Sequence, residues 1–394
     1  MTRRLGLTLA AAVLCVTTAG SVRAQAKPEF VRPPYAGAYE PQGIDERGLW
    51  MELDEGERAL RDSPLVVGDP RLHDWVRSVL CKAVGFDRCQ ATRIYLVRDD
   101  SFNATMAPNG LMHVHLGLLA RLHSEAELAV ILAHEFAHFE LRHSLYDFRN
   151  RRKGSDIIAW ISLAGVATSQ STSAIQNGVV AGLFRFNRAQ ETAADLLAAA
   201  YVRASPYRLR ASAPWRRLLE EDEALRSERK ARKVRRYYPY VTDTHPTNLQ
   251  RIAYFSVLEA EAGTRGDDGA EAYREVTNAI IGDLFAGLVK GNEFGAVDYV
   301  IRARGDALGW NGRLLAMRGE LYRSRATPRD LSTAQAFFER ATGYRDAPAE
   351  AWRGLGLTAL RLGETAVGRS ALAEYLKRAP RANDAGAIRL LLED

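Results

Sequence analysis

Two histidines and a glutamate are spaced so that they could bind and use a metal ion. The segment His134–His138 has the form His-Glu-x-x-His and follows an apolar run, Leu128–Ala133, that predicts a helix. Residues four positions apart lie on one helical face, so both imidazoles could hold the same ion. Glu135 would lie beside the open coordination position, where a carboxylate can take a proton from water. We interpret the segment as a catalytic metal site rather than as two ordinary surface histidines.

A third ligand is predicted on a later helix. His143 is close in sequence, but it lies about 140° round the helix from His138 and cannot easily reach the same ion. The segment Gln190–Asp195 offers a carboxylate, Glu191, and one turn later a second, Asp195, that could hold the other N–H of a ligand histidine. Two histidines and one glutamate leave the open fourth position that catalytic zinc requires. The predicted ligands of one Zn²⁺ per chain are therefore His134, His138 and Glu191.

Two downstream residues complete the candidate site. His245, within Thr244-His245-Pro246, could donate a hydrogen bond to the oxyanion that forms when a carbonyl is attacked. Arg251 could brace a carboxylate of the site. We therefore expect Glu135 and His245 to be catalytic, and Asp195 and Arg251 to support the ligands.

In order and spacing, these segments resemble the zinc metallopeptidases of family M48. The resemblance spans about residues 50–260, and it is carried by the motif at 134–138 with His143, the segment from Arg188 to Asp195 and the segment 244–251. It implies a bound zinc ion, endopeptidase chemistry and a role in quality control of envelope proteins. Phe102-Asn103-Ala104 resembles the edge strand beside the cleft in that family. Asn103 and Ala104 are therefore the expected substrate-binding residues.

The elements that must position these residues have their own signals. Helical patterns cover Ile44–Arg61 and Leu72–Ala83, and from Ser124 to Leu145 the sequence is strongly helical, with Ser124 as N-cap and Glu127 completing a capping box. Strands are predicted at Arg93–Val97 and Leu111–Leu116. The fold class expected is α+β: a mostly helical zincin-type domain with a small β-sheet, followed by an all-α repeat domain.

Two further segments could cover the cleft or contact a surface. Residues 156–186 are apolar in two arms of about 12 and 6 residues, each too short to span a bilayer. They favour an amphipathic hairpin or lid, with a membrane-surface contact as the alternative. Arg226–Arg236 holds seven Lys or Arg in eleven residues. Such a run is either a solvated helix face or a site of attraction to anionic lipid.

After Thr264 the sequence becomes a series of Ala-rich helical pairs. Small and aromatic residues recur with tetratricopeptide spacing: Trp352, Leu355, Gly356, Ala359, Gly368, Leu372 and Pro380. Small residues at these positions let antiparallel helices pack closely. A generic array of α-hairpins is the alternative. The expected divisions are residues 1–24 signal peptide, 25–44 extended arm, 45–263 peptidase-like domain and 264–394 repeats.

The amino terminus has the pattern of an export signal. Arg3 and Arg4 precede an apolar stretch, Leu5–Val16, and small residues follow up to Ala24. An uncleaved anchor is the alternative. Export to the periplasm would leave Cys81 and Cys89 in an oxidising compartment, where they could form a disulfide or remain as two free thiols.

Composition narrows the class of protein. The chain of 394 residues is 47% hydrophobic and 26% charged, which excludes a disordered chain and a polytopic membrane protein. The net charge of +6 falls to +3 without the three arginines of residues 1–24, and so gives little support to nucleic-acid binding. The expected partners are polypeptide substrates and an envelope protein on the repeats, with a peripheral membrane contact as an alternative. The main rival function is an envelope chaperone or assembly scaffold with a latent, gated peptidase site.

Overall fold

The structure is a computed structural model that describes residues 33–36, 39–153, 186, 188–230 and 248–393. Several segments singled out above lie outside this part of the chain: the signal peptide, residues 154–185, residues 231–236 and His245. Within the described residues, no helix is both long enough and apolar enough to cross a membrane.

The first part of the chain alternates helices with three short strands. In chain order its elements are α1 Gly43–Arg61, α2 Pro70–Val84, α3 Phe86–Cys89, β1 Arg93–Val97, β2 Ala104–Met106, β3 Leu111–His115, α4 Leu116–Arg121, α5 Glu125–Glu140 and α6 His143–Lys153. The remaining elements are helices: α7 Arg188–Ala204, α8 Ser212–Glu228, α9 Asn248–Ala262, α10 Ala270–Ala279, α11 Ile281–Lys290, α12 Phe294–Leu308, α13 Gly312–Arg325, α14 Pro328–Thr342, α15 Ala349–Arg361, α16 Thr365–Arg378 and α17 Ala385–Glu393. The α+β class is confirmed.

The sheet has the strand order β1-β3-β2, with β1 parallel and β2 antiparallel to β3. Side chains alternate along β3: Met112 and Val114 are buried in the main core, whereas His113 and His115 on the other face are partly exposed. The predicted strand ends one residue early, because Leu116 already begins α4. This order leaves β2 at one edge, next to α5.

Helix α5 begins where the sequence predicts. The Ser124 hydroxyl accepts a hydrogen bond from the N–H of Glu127 at 3.2 Å, as in a capping box. The Glu127 carboxylate then accepts from the N–H of His123 at 2.7 Å, one residue earlier than the standard arrangement. All residues of α5 except the last are buried.

The predicted helix from Ser124 to Leu145 is interrupted, which corrects the sequence interpretation. It ends at Glu140, and α6 starts at His143 after Arg142 adopts a left-handed φ of 55°. Such a φ is uncommon for a residue other than glycine, and tertiary contacts hold it here. The Arg142 guanidinium donates to the hydroxyl of Tyr39 at 2.5 Å and to the carboxylate of Glu46 at 3.2 Å.

One hydrophobic core joins the sheet, α5 and the following helices. Its buried members run from Val67 to Leu321 and so continue past residue 263 into α13. Later helices pack as antiparallel neighbours with close contacts at small residues; a Cβ on Gly354 would lie only 2.2 Å from the Phe338 ring. The division at residue 263 and the tetratricopeptide assignment remain predictions.

Cys81 and Cys89 are joined by a disulfide, with their Cα atoms 5.1 Å apart. The bond closes the turn between α2 and α3. Arg88, inside this loop, stacks near the rings of Tyr35 and Tyr201, whose hydroxyls both donate to Glu140 at the end of α5. The loop therefore lies against the carboxyl end of α5.

Candidate metal centre

Helices α5 and α7 bring three buried ligand atoms together. Nε2 of His134 lies 3.1 Å from Nε2 of His138, one turn along α5. The carboxylate of Glu191 on α7 lies 3.6 Å from each of these nitrogens, through a different oxygen for each. Among the described residues, this is the one cluster of three such side chains suited to a metal ion. The structure thus brings together the three ligands predicted from the sequence.

The triangle fits a tetrahedral ion. Bonds of about 2.0–2.1 Å at tetrahedral angles separate neighbouring ligand atoms by about 3.3 Å. The observed separations, 3.1, 3.6 and 3.6 Å, bracket that value. Two imidazole nitrogens and one carboxylate form the donor set of open zinc sites. The residues present therefore fit the metal that the sequence implies.

The second nitrogen of His134 fixes its tautomer. Nδ1 of His134 lies 2.8 Å from Oδ1 of Asp195, a carboxylate that can only accept. Although burial opposes ionisation, the charge of Arg251 lowers the pKa of Asp195 well below its usual range. Nδ1 of His134 therefore carries the proton, and its Nε2 keeps the lone pair that a metal needs.

Arg251 holds Asp195 in that position. Its Nε donates to Oδ2 of Asp195 at 2.9 Å and its Nη2 to Oδ1. The same Nη2 also lies 3.2 Å from Nδ1 of His134. Because both nitrogens carry a proton, they do not bond each other, and each donates to the carboxylate of Asp195 instead. The Tyr254 hydroxyl also donates to Asp195. The guanidinium is almost fully buried, with its flat face 3.7 Å from the ring centre of Trp215.

His143 supports the second ligand rather than joining the cluster. Its Nδ1 lies 2.9 Å from Nδ1 of His138. Burial lowers the pKa of His143 to about 4, so the ring is neutral and can accept from His138. In that tautomer Nε2 of His138 carries the lone pair that a metal needs. The Phe186 ring stacks on His138, with 3.9 Å between ring centres.

Glu135 lies beside the ligands and faces β2. Burial, reinforced by the negative charge of Glu191, raises its pKa well above the ordinary value. The backbone of Met106 in β2 lies near this carboxylate and acts in the opposite direction, lowering the pKa. A carboxyl group in this setting can take up a proton and hold it for later release.

The edge strand directs some of its backbone groups away from β3, close to Glu135. The N–H of His115 donates to the carbonyl of Asn103 at 3.1 Å, which marks a hydrogen-bonded pair between β3 and the segment leading into β2. Such pairs alternate along antiparallel strands, so the N–H and C=O of Ala104 and of Met106 point away from β3. The contact of Met106 with Glu135 agrees with this register.

The segment that contains the candidate site resembles known proteins. Residues 68–258 match the model of peptidase family M48. The matched segment belongs to this family. It contains the three candidate ligands, Glu135 and Arg251, and we refer to it as the M48 domain; its fold is that of a metallopeptidase.

Curated relatives share the same region. The beta-barrel assembly-enhancing protease of Escherichia coli strain K12 is 25% identical over 161 residues, which cover 37% of this chain and 33% of that protein. The protein of the same name from Yersinia pestis is 27% identical over 149 residues, covering 35% and 30%. A Vibrio cholerae relative is 28% identical over 151 residues, covering 35% and 31%. The chain thus matches about a third of the length of these relatives.

Sequence reasoning missed two supporting residues, Tyr254 and Trp215, and the role of a third, His143. Tyr254 lies one turn after Arg251 on α9, a spacing that could have suggested it. Trp215 carries no local signal, because only the packing of α8 against α9 brings it to Arg251. The role of His143 was hidden by treating it as part of one continuous helix with His138. His245 lies outside the described residues, so its predicted role is not addressed by this geometry.

Proposed function

We propose that the chain is a zinc-dependent endopeptidase that hydrolyses misfolded or misassembled polypeptides of the bacterial envelope. The observation that carries the proposal is the buried triangle of His134, His138 and Glu191, with Glu135 next to it. Buried charged and imidazole groups gathered this closely are costly unless they bind a metal or each other. The order of these residues within an M48 domain supports the metal.

His134, His138 and Glu191 would hold the ion. When bound, zinc would supply Lewis-acid chemistry, polarising the scissile carbonyl and acidifying water. Asp195 and His143 keep the two ligand imidazoles in the tautomers that expose Nε2. The positive charge of Arg251 balances the negative charge of Asp195, so the carboxylate that holds His134 is not an uncompensated charge in the core.

Glu135 would move the proton. It would take one from the attacking water and return it to the nitrogen of the leaving amine, a role suited to a carboxyl whose pKa burial has raised. His245, predicted to stabilise the oxyanion or to occupy the open position, and residues 155–186, predicted to cover the cleft, remain sequence predictions for the same reaction.

The substrate would bind as an added strand. The N–H and C=O of Ala104, which point away from β3, can pair with an extended peptide whatever its side chains, as expected for a protease acting on many unfolded chains. Because Met106 contacts Glu135, a peptide bound along β2 would pass the carboxyl group that moves the proton. Asn103, which directly precedes β2, would also contact the bound peptide.

Several observations support a place in the envelope. The amino-terminal sequence has the pattern of an export signal, and a disulfide is typical of proteins in oxidising compartments. The named relatives are beta-barrel assembly-enhancing proteases. We propose that the helix pairs after residue 264 bind an envelope partner, which also makes an assembly scaffold with a latent site the second candidate function.

The test compares residues 25–394 with the Glu135→Gln variant. We expect each protein to hold one zinc per chain and the wild type alone to cleave unfolded casein. Zinc in both without cleavage by either would favour the scaffold, with the site gated. Absence of zinc from both would refute the ligand assignment.

A further inference from the structure

We propose that Trp215 is a positioning residue that links the metal ligands to the strand where substrate binds. The proposal rests on the proposed function, because it concerns the same metal centre and the same cleft. Trp215 would act through Arg251 and through Phe102.

The contact with Arg251 fixes the plane of the guanidinium. Cζ of Arg251 lies 3.7 Å from the centre of the Trp215 ring, the distance of direct stacking. The edge of the guanidinium meanwhile donates to both oxygens of Asp195. The planar guanidinium can donate to both carboxylate oxygens in only one orientation. The indole packed against it opposes a tilt away from that orientation.

The orientation of Arg251 matters for the metal because Asp195 is the acceptor for His134. If the guanidinium tilts, the carboxylate loses one of the two N–H groups that Arg251 donates to it. The hydrogen bond between Asp195 and Nδ1 of His134, now 2.8 Å, would then be less well directed. Residues that orient a metal ligand in this way change metal affinity without contacting the ion.

The indole also meets the segment that leads into the expected substrate strand. Phe102 contacts the Trp215 ring edge-on, with 5.7 Å between ring centres and 77° between planes. Phe102 directly precedes Asn103, whose carbonyl is bonded to β3. The same indole therefore packs against the neighbour of the residue whose carbonyl anchors the start of β2.

Helix α8 holds the indole firmly. At its first residue, the N–H and the hydroxyl of Ser212 donate to the carboxylate of Glu259 on α9, at 2.8 and 2.6 Å. Further along, Arg217 donates to the carboxylate of Glu127 on α5. Trp215 itself is only 8% exposed. The ring thus sits on a helix tied to both α5 and α9.

The experiment measures zinc affinity by competition with a chelator in the full chain, for Trp215→Leu and Trp215→Phe. We expect Trp215→Leu to bind zinc about tenfold to a hundredfold more weakly. Trp215→Phe, which keeps an aromatic face, should recover most of the affinity. The visible spectrum of the cobalt-loaded protein should change in the leucine variant and return in the phenylalanine variant. The KM for a peptide should also rise in the leucine variant.

Two control variants separate positioning from general stability. Phe285→Leu alters a fully buried ring in α11 and should lower stability but leave zinc affinity unchanged. Phe102→Leu should raise KM while leaving zinc affinity unchanged. In an Arg251→Met background, Trp215→Leu should weaken zinc binding no further, because both act through the same contact.

The outcomes distinguish this proposal from the one it rests on. If the wild type binds no zinc, the metal centre itself is refuted. If the wild type binds zinc and Trp215→Leu binds it equally well, the positioning role is wrong while the metal centre stands. A loss of affinity in Trp215→Leu that Trp215→Phe does not restore would also overturn the proposal, since it would indicate packing rather than stacking.

Discussion

The carbonyl of Asp268 accepts a hydrogen bond from the N–H of Ala126 at 3.0 Å, at the start of the helix that carries the metal ligands. The next carbonyl, that of Gly269, lies 3.5 Å from the N–H of Glu125. The first N–H groups of a helix have no partner within it, so this loop caps α5 from beyond the M48 domain. The start of the helix that carries the candidate ligands is therefore held by residues of the following helical region.

This relationship predicts a large effect from a small substitution at Gly269. Its φ of +62° is left-handed, and an added Cβ would lie 2.8 Å from Cβ of Glu125. We expect Gly269→Ala to lower the free energy of unfolding by about 2 kcal/mol or more, from backbone strain and the clash. Urea denaturation of the full chain measures this.

The matched control is Gly282→Ala in α11. A Cβ there would meet nothing within 4 Å and the backbone is helical, so we expect a gain of about 0.5–1 kcal/mol. If both substitutions change stability equally, the loop is not pressed against α5 as described.

A second prediction concerns Asp195. Asp195→Asn removes the charge that faces Arg251 and turns one acceptor into a donor. We expect zinc affinity to fall about tenfold to a hundredfold because His134 loses its fixed tautomer. The free energy of unfolding of the metal-free protein should fall by about 3–5 kcal/mol because the buried guanidinium loses its partner. Chelator competition and urea denaturation give the two values.

The exposed ion pair between Asp283 and Arg98 is the control for the buried pair between Asp195 and Arg251. Its charged groups lie 3.1 Å apart, but both side chains are largely exposed. Asp283→Asn should therefore change stability by less than about 1 kcal/mol and zinc affinity not at all. Equal effects of the two substitutions would contradict the bracing role of Asp195.

The disulfide gives a third prediction. Cys81 and Cys89 are eight residues apart, and closing a loop of that size stabilises the folded state by about 2.5 kcal/mol in the chain-entropy model. The double substitution Cys81→Ser, Cys89→Ser should lower the free energy of unfolding by that amount in urea. Reducing agent should lower the free energy of unfolding of the wild type by a similar amount and leave that of the double variant unchanged. If reducing agent also destabilised the double variant, the loss of stability in the wild type could not be attributed to this disulfide.

Much of the centre was predictable because it is encoded by short spacings. His134 and His138, and likewise Glu191 and Asp195, are separated by four residues, so each pair shares a helix face whatever the surrounding fold. The strand Arg93–Val97 and the N-cap at Ser124 are also local features. The structure places all of them where the sequence does.

The unpredicted features depend on distant contacts. Arg142 adopts a left-handed φ only because Glu46 and Tyr39, about a hundred residues earlier in the chain, bind its guanidinium. No local propensity favours ending a helix there, so His143 was placed on the wrong helical face. The stacking of Trp215 on Arg251 and the cap from Asp268 are likewise invisible to patterns of spacing.

A fourth prediction tests the strand at the edge of the sheet. The N–H of Ala104 points away from β3, so proline, which lacks this donor, can replace alanine at an edge without breaking the ladder. A bound peptide would lose one backbone hydrogen bond and keep an unpaired carbonyl. We expect Ala104→Pro to lower kcat/KM about tenfold, mainly through KM, with zinc content unchanged.

Ala104→Ser serves as the control, because it keeps the N–H and adds only a small group to this buried position. Its kcat/KM should stay close to that of the wild type. The decisive comparison uses peptides of increasing length: the defect of Ala104→Pro should appear only with substrates long enough to pair with β2. A proline variant that cleaves long peptides as fast as the wild type would exclude β2 as the binding strand.

If the proline variant instead lost zinc, the substitution would have disturbed α5 through the contact of Met106 with Glu135.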